Sequence, residues 1–156
     1  MGEVLPLPRN PSRRRVVADV QKHGLHIIHV AAEAGGGWSY SIGLFHTHRH
    51  SELVIVGLPS STAQVLLNAL GARVKAGERF SSGVRDGQVL TRYPVQFVTV
   101  PESAYRDHFG FANWFYRGAA FPVLQVVWPD RSGAFPWDPS FDPSLVAVER
   151  VLGNAS

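Results

Sequence analysis

Apolar positions along the chain change their period several times, and each change marks an element. Val16, Val17 and Val20 recur at helical spacing between Ser12 and Gly24, predicting a short helix that Ser12 caps and Gly24 stops. LHIIHVAA, Leu25 to Ala32, is rich in β-branched residues and reads as a strand. Gly35 to Gly37 permits a tight turn into WSYSIGL, Trp38 to Leu44, so the two segments form a hairpin. LVIVGL, Leu53 to Leu58, is apolar without alternation, as expected of an interior strand covered on both faces, and Pro59 ends it. Ser60 or Ser61 then caps a helix that runs to Gly77, with Val65, Leu66, Ala69, Leu70 and Val74 along its apolar side.

The second half is read in the same way. Asp86-Gly87 is a hairpin signal, Val95 to Val100 a strand, and Glu102 to about His108 a short helix followed by an aromatic loop or a second helical turn. Phe121 to Trp128 is a further strand, and the prolines of PDRSGAFPWDPSFDP enforce a structured loop. Leu145, Val148 and Val151 suggest a last helix from Ser144 to Leu152. Together these elements predict an α+β fold: one domain, a mostly antiparallel sheet of five to seven strands, and one main helix packed on a face. Residues 1–15 are expected to be an extended basic arm and residues 16–156 a single globular domain.

Composition changes this picture little. At 156 residues, 45% hydrophobic and 17% charged, the chain can bury one sizeable core. The net charge of +3 resides in residues 1–24, where Arg9, Arg13, Arg14, Arg15 and Lys22 face only Glu3 and Asp19. Such a short basic segment, with no element to read bases, is a weak nucleic-acid candidate. The absence of cysteine removes disulfides, thiolate metal sites and cysteine nucleophiles. No run approaches the roughly 20 apolar residues that span a bilayer, and no signal peptide is apparent, so a cytoplasmic protein without membrane contact is expected.

Candidate chemistry centres on FHTHRHSEL, Phe45 to Leu53. If extended, this stretch places His46, His48, His50 and Glu52 on one face; if helical, it aligns only His46 and His50. Either arrangement suits a divalent metal such as zinc, nickel or iron, with His46, His48 and His50 as ligands, and the alternative is a solvated loop between two strands. Without a metal, His50 is the candidate acid/base and Glu52 its orienting partner, with Asp130 approaching from the later loop. Asp130 also suits a turn closed through Ser132 and Gly133. Trp38 and Tyr40 share a strand face and either line a pocket for a planar ligand or fill the core. His26 and His29 point to opposite faces of their strand and are read as partly buried structural residues.

Several chemistries lack their signatures. His50-x-Glu52 is also found in zinc nucleobase deaminases, but those need downstream cysteines that this chain does not have. No G-x-S-x-G occurs, although Ser39 and Ser41 sit near a suitable strand, and there is no Walker or dinucleotide motif.

WSYSIGL, HSEL followed by VIVGLP, the helix ending at Gly77 and QVVWPDRSGAFPWD together resemble a bacterial family of uncharacterised domains, domain of unknown function 4262. The pattern falls on Trp38, Tyr40, Gly43, Leu44, His50, Glu52, Leu53, Gly57, Gln125, Trp128, Pro129, Asp130, Gly133, Pro136 and Trp137, from about Leu25 to Asp138. The chain departs at Ser51, where the family commonly has proline. The resemblance implies a shared fold and a shared site near His50, Glu52 and Asp130, and it carries no catalytic residues with it. Three readings of function remain: a small-molecule pocket near the histidine loop, binding or hydrolytic, with or without a metal; a regulatory or protein-interaction module; and weak nucleic-acid binding through the N-terminal arginines. Whether the chain is an enzyme, and with what oligomeric state, is open at this level.

Overall fold

The computed structural model describes residues 11–32, 36–118 and 120–153. Six strands form one sheet: β1 (His26–Val30), β2 (Trp38–Ile42), β3 (Glu52–Val56), β4 (Arg85–Asp86), β5 (Val95–Thr99) and β6 (Val123–Val127). Their spatial order is β1-β2-β3-β6-β5-β4. Every neighbouring pair is antiparallel except the central one, β3 and β6, which run parallel with Leu53 beside Leu124. The expected α+β fold is therefore present.

Helices cover both faces of the sheet. Helix α3 (Ser60–Lys75) lies on one face, where Leu66, Leu67, Leu70 and Val74 meet Ile27, Leu53, Ile55, Phe97 and Val126. On the other face α1 (Pro11–His23), α4 (Tyr105–His108) and α5 (Gly110–Phe115) enclose Tyr40, Ile42, Val54 and Val56. Alternate residues of β3 thus enter different cores, and both β3 and β6 are buried at every position. This explains why LVIVGL shows no polar alternation.

The structure departs from the sequence reading in four places. Helix α1 begins at Pro11, so residues 11–15 are its first turns rather than arm; residues 1–10, like Gly35 in the expected glycine turn, lie outside the described residues. The buried stripe of α3 is Ala63, Leu66, Leu67, Leu70 and Val74, and Val65 is 66% exposed. Asp86 does not turn a tight hairpin: β4 has only two residues and reaches β5 through the long segment 87–94. The expected last helix shrinks to a 3-10 turn at Pro143–Leu145, because Glu149 is drawn inward to accept the Trp128 backbone N–H.

Candidate functional site

Segment 43–52 carries most of the chemistry foreseen for the chain, and its geometry starts from Gly43. That residue has φ 114°, and a Cβ there would sit 2.7 Å from the Gly24 carbonyl oxygen, so only glycine fits. From it the chain enters a single helical segment, α2 (Leu44–His48), which turns the backbone N–H groups of residues 43–45 inward. Glu52, 1% exposed at the start of β3, receives them: Gly43 N–H at 2.9 Å, Leu44 N–H at 3.1 Å and Phe45 N–H at 3.3 Å. Ser41 Oγ donates to the same carboxylate at 2.7 Å, and the Tyr116 hydroxyl donates as well. Burial pushes the Glu52 carboxyl above its ordinary range, while these donors pull it back. The hydroxyl of Tyr116 is pushed upward by burial and by the neighbouring carboxylate, so it stays protonated and donates. Glu52 thereby joins β2, α2, β3 and the end of α5 at one buried point.

His50 is committed in a similar way. Its Nδ1 donates to the Ser51 carbonyl at 2.8 Å and its Nε2 accepts the Phe80 N–H at 2.9 Å. Burial holds it below the usual histidine range, so the neutral ring that satisfies both bonds is favoured. Because residues 44–48 are helical, His46 and His48 point in different directions: His46 meets Phe115 edge-on, and His48 lies beside Gly24. The extended face that would have aligned three imidazoles does not form. Among the described residues no group of three or more His, Cys, Asp or Glu side chains comes together to hold a metal ion.

Asp130 is not brought to this point. Glu52 pairs with Val123 at the start of β6, and Asp130 follows the other end of that strand, roughly 20 Å away at about 3.3 Å per residue. Its Oδ1 accepts from Ser132 Oγ at 2.7 Å, Ser132 N–H at 2.9 Å and Ala134 N–H at 2.9 Å, and its Oδ2 from Asp142 N–H at 2.9 Å. These bonds, led by that of Ser132, hold its carboxyl below the ordinary range and fix the 130–142 loop. Trp38 and Tyr40 join the aromatic core: Trp38 Nε1 donates to the His108 carbonyl at 2.8 Å, and the Tyr40 hydroxyl accepts the Phe111 N–H at 3.2 Å.

The open chemistry lies one turn away, in a cleft of about 570 Å³ between α1, β1 and α3. Arg15, Lys75, His23, His26 and His48 line it, with Asp19 as its carboxylate. Asp19 Oδ2 holds His26 Nδ1 at 2.7 Å. His48, the one residue of the histidine loop that reaches the cleft, is lowered by burial and then by Arg79 and Lys75. Sequence reasoning missed the His26–Asp19 pair because Asp19 lies on a helix and His26 on a strand, so no single period relates them.

Fold and cleft define a small α+β domain with helices on both faces and an open basic cleft at one sheet edge. The chain belongs to the family described as Domain of unknown function (DUF4262), whose model matches residues 19–142. No curated protein and no solved structure matched. Among the described residues no helix is long and apolar enough to cross a membrane.

Proposed function

We propose that the protein binds a small anionic molecule, a carboxylate or phosphate ester, in the cleft beside the histidine loop. The observation that carries this reading is the lining: two permanent cations and three histidines face one carboxylate, and that carboxylate is engaged by His26. A fixed excess of cationic donors in a recess favours an anion, since the partly dry walls strengthen each contact. With Nδ1 held by Asp19, His26 offers Nε2 to the ligand as a hydrogen-bond donor or as a base. His48, lowered by burial and then by Arg79 and Lys75, offers a neutral nitrogen from the histidine loop. His50 and Glu52 serve this site indirectly by fixing the loop that carries His48.

Calorimetry and thermal melting with inorganic phosphate and citrate test the reading. Binding is expected to weaken about tenfold in each of Lys75→Ala and His48→Ala, to fall with added salt, and to be unchanged in His46→Ala. Absence of binding at millimolar ligand, or equal binding by Lys75→Ala, would remove the anion reading.

A further inference from the structure

The β1–β2 register sets His29 directly opposite Ser39. Their side chains meet, Ser39 Oγ to His29 Nδ1 at 2.6 Å, and His29 Nε2 lies 2.8 Å from Gln64 Oε1 on α3. An amide oxygen only accepts, so Nε2 carries the ring proton and Nδ1 is left to take the proton of the serine hydroxyl. That is the polarity a serine nucleophile needs: hydroxyl to base, base to an orienting group. Ser41, two residues further on the same face, shows the contrast, since its hydroxyl is spent on the Glu52 carboxylate and on the Leu53 N–H.

Ser39 and His29 also line a cleft of about 520 Å³, bordered by Gly36, Gly37, Gly57 and Ser60. Among the described residues no Asp, Glu, Lys or Arg side chain lines it. Ser60 opens α3, whose N-cap, Pro59, supplies no side-chain bond to the first helical N–H groups. We infer that Ser39, His29 and Gln64 form a nucleophilic serine site for small, uncharged carboxylic esters, with Ser39 as nucleophile, His29 as base and Gln64 as the positioning residue. It stands apart from the anion-binding reading, which concerns the cleft on the other side of Gln64.

In the first step Ser39 Oγ bonds to the ester carbonyl carbon while its proton passes to His29 Nδ1. The bond from that carbon to the alkoxy oxygen then breaks, and the departing alcohol takes the proton from Nδ1. Water attacks the resulting acyl-serine, giving a proton to Nδ1; the acid leaves and Ser39 recovers its proton. The sum is ester plus water to acid plus alcohol. Because Ser39 lies within a strand and not at a sharp strand-to-helix turn, the site carries no G-x-S-x-G.

The test is covalent labelling of the folded protein with diisopropyl fluorophosphate, read by intact mass and peptide mapping, alongside hydrolysis of p-nitrophenyl acetate. One adduct on Ser39 is expected, absent in Ser39→Ala, with labelling slowed about 100-fold or more in His29→Ala. Gln64→Ala is expected to slow labelling about tenfold and to move the pH midpoint of its rate, and Gln64→Glu to restore the rate. Folded wild-type protein that takes up no label on Ser39, or a His29→Ala variant that labels at the wild-type rate, would overturn the inference. The wild-type mapping decides even if a variant does not fold. Phosphate affinity in the basic cleft, measured on Ser39→Ala, reports separately on the anion reading.

Discussion

Two buried glutamates show how differently one residue type is used. Glu52 is met by five donors, whereas Glu149 accepts only the Trp128 N–H, at 2.8 Å, and its Oε1 has no partner among the described residues. Burial therefore pushes Glu149 up to about 9. The sign follows directly: between the ordinary carboxylate range and pH 9 the folded state keeps a proton that the unfolded state has released, so stability falls as pH rises across that window. Glu149→Gln should remove this slope, melting several degrees above wild type at pH 8–9 and close to it at pH 5, as thermal melts at the three pH values would show. Glu52→Gln should do the reverse of stabilising: its amide NH₂ would face backbone donors, at a cost of about 2–4 kcal/mol in urea unfolding. HSEL is conspicuous in the sequence because His46, His48 and His50 alternate with other residues and Glu52 continues the alternation. Its partners are not, since three of the donors are backbone N–H groups that no residue type advertises.

At the scale of elements, legibility followed length and periodicity. Helix α3 was legible to within two residues at its C-terminal end, because sixteen residues sustain a periodic pattern; its facing was misjudged because Val65 and Ala69 widen the apolar stripe, and burial fell instead on Ala63 and Leu67. Helix α2 was illegible, having five residues and a start set by a distant carboxylate. The last helix failed because long-range contacts hold that segment: Glu149 takes the Trp128 N–H, and the Val148 carbonyl oxygen packs so close to Gly36 and Gly57 that a Cβ there would stand 2.7 or 2.6 Å away. Near its end α3 is tied to β4 by Arg73, which grips Asp86 with two bonds of 2.9 and 2.7 Å and also meets Glu78. Arg73 first of all holds Asp86 below the ordinary carboxylate range, so this contribution is present at neutral pH and is lost as pH falls below about 4. A double-mutant cycle with Arg73→Met and Asp86→Asn should return a coupling of about 1 kcal/mol at pH 7 that declines as the pH is lowered below about 4.

For the whole molecule, the hairpin, the interior strand and the mixed α+β character were readable from pattern alone, whereas the clefts were not, because each is assembled from side chains on different elements that no single period relates. His26 and Asp19 become neighbours once α1 lies against β1, and His29, Ser39 and Gln64 once β1 lies beside β2 and α3 covers that edge. The strand order contains a further division. β1, β2 and β3 form one antiparallel set, β6, β5 and β4 another, and the two meet only at the parallel pair. Gln125, 0% exposed on that seam, also receives the C-terminal segment, its side chain bonding the Arg150 carbonyl and the Leu152 N–H at 2.8 and 2.7 Å. Within each set the strands succeed one another along the chain, while the seam joins Leu53 to Leu124 across nearly half of the chain. Loop-closure entropy makes such a contact slow to gain, so seam formation should govern the folding rate. In stopped-flow refolding, Val54→Ala on the seam should slow folding, and Ile28→Ala on the edge strand should chiefly hasten unfolding. A chain emerging from synthesis would then hold its first three strands as an unfinished sheet, with one flank of β3 unpaired and open to aggregation until β6 arrives.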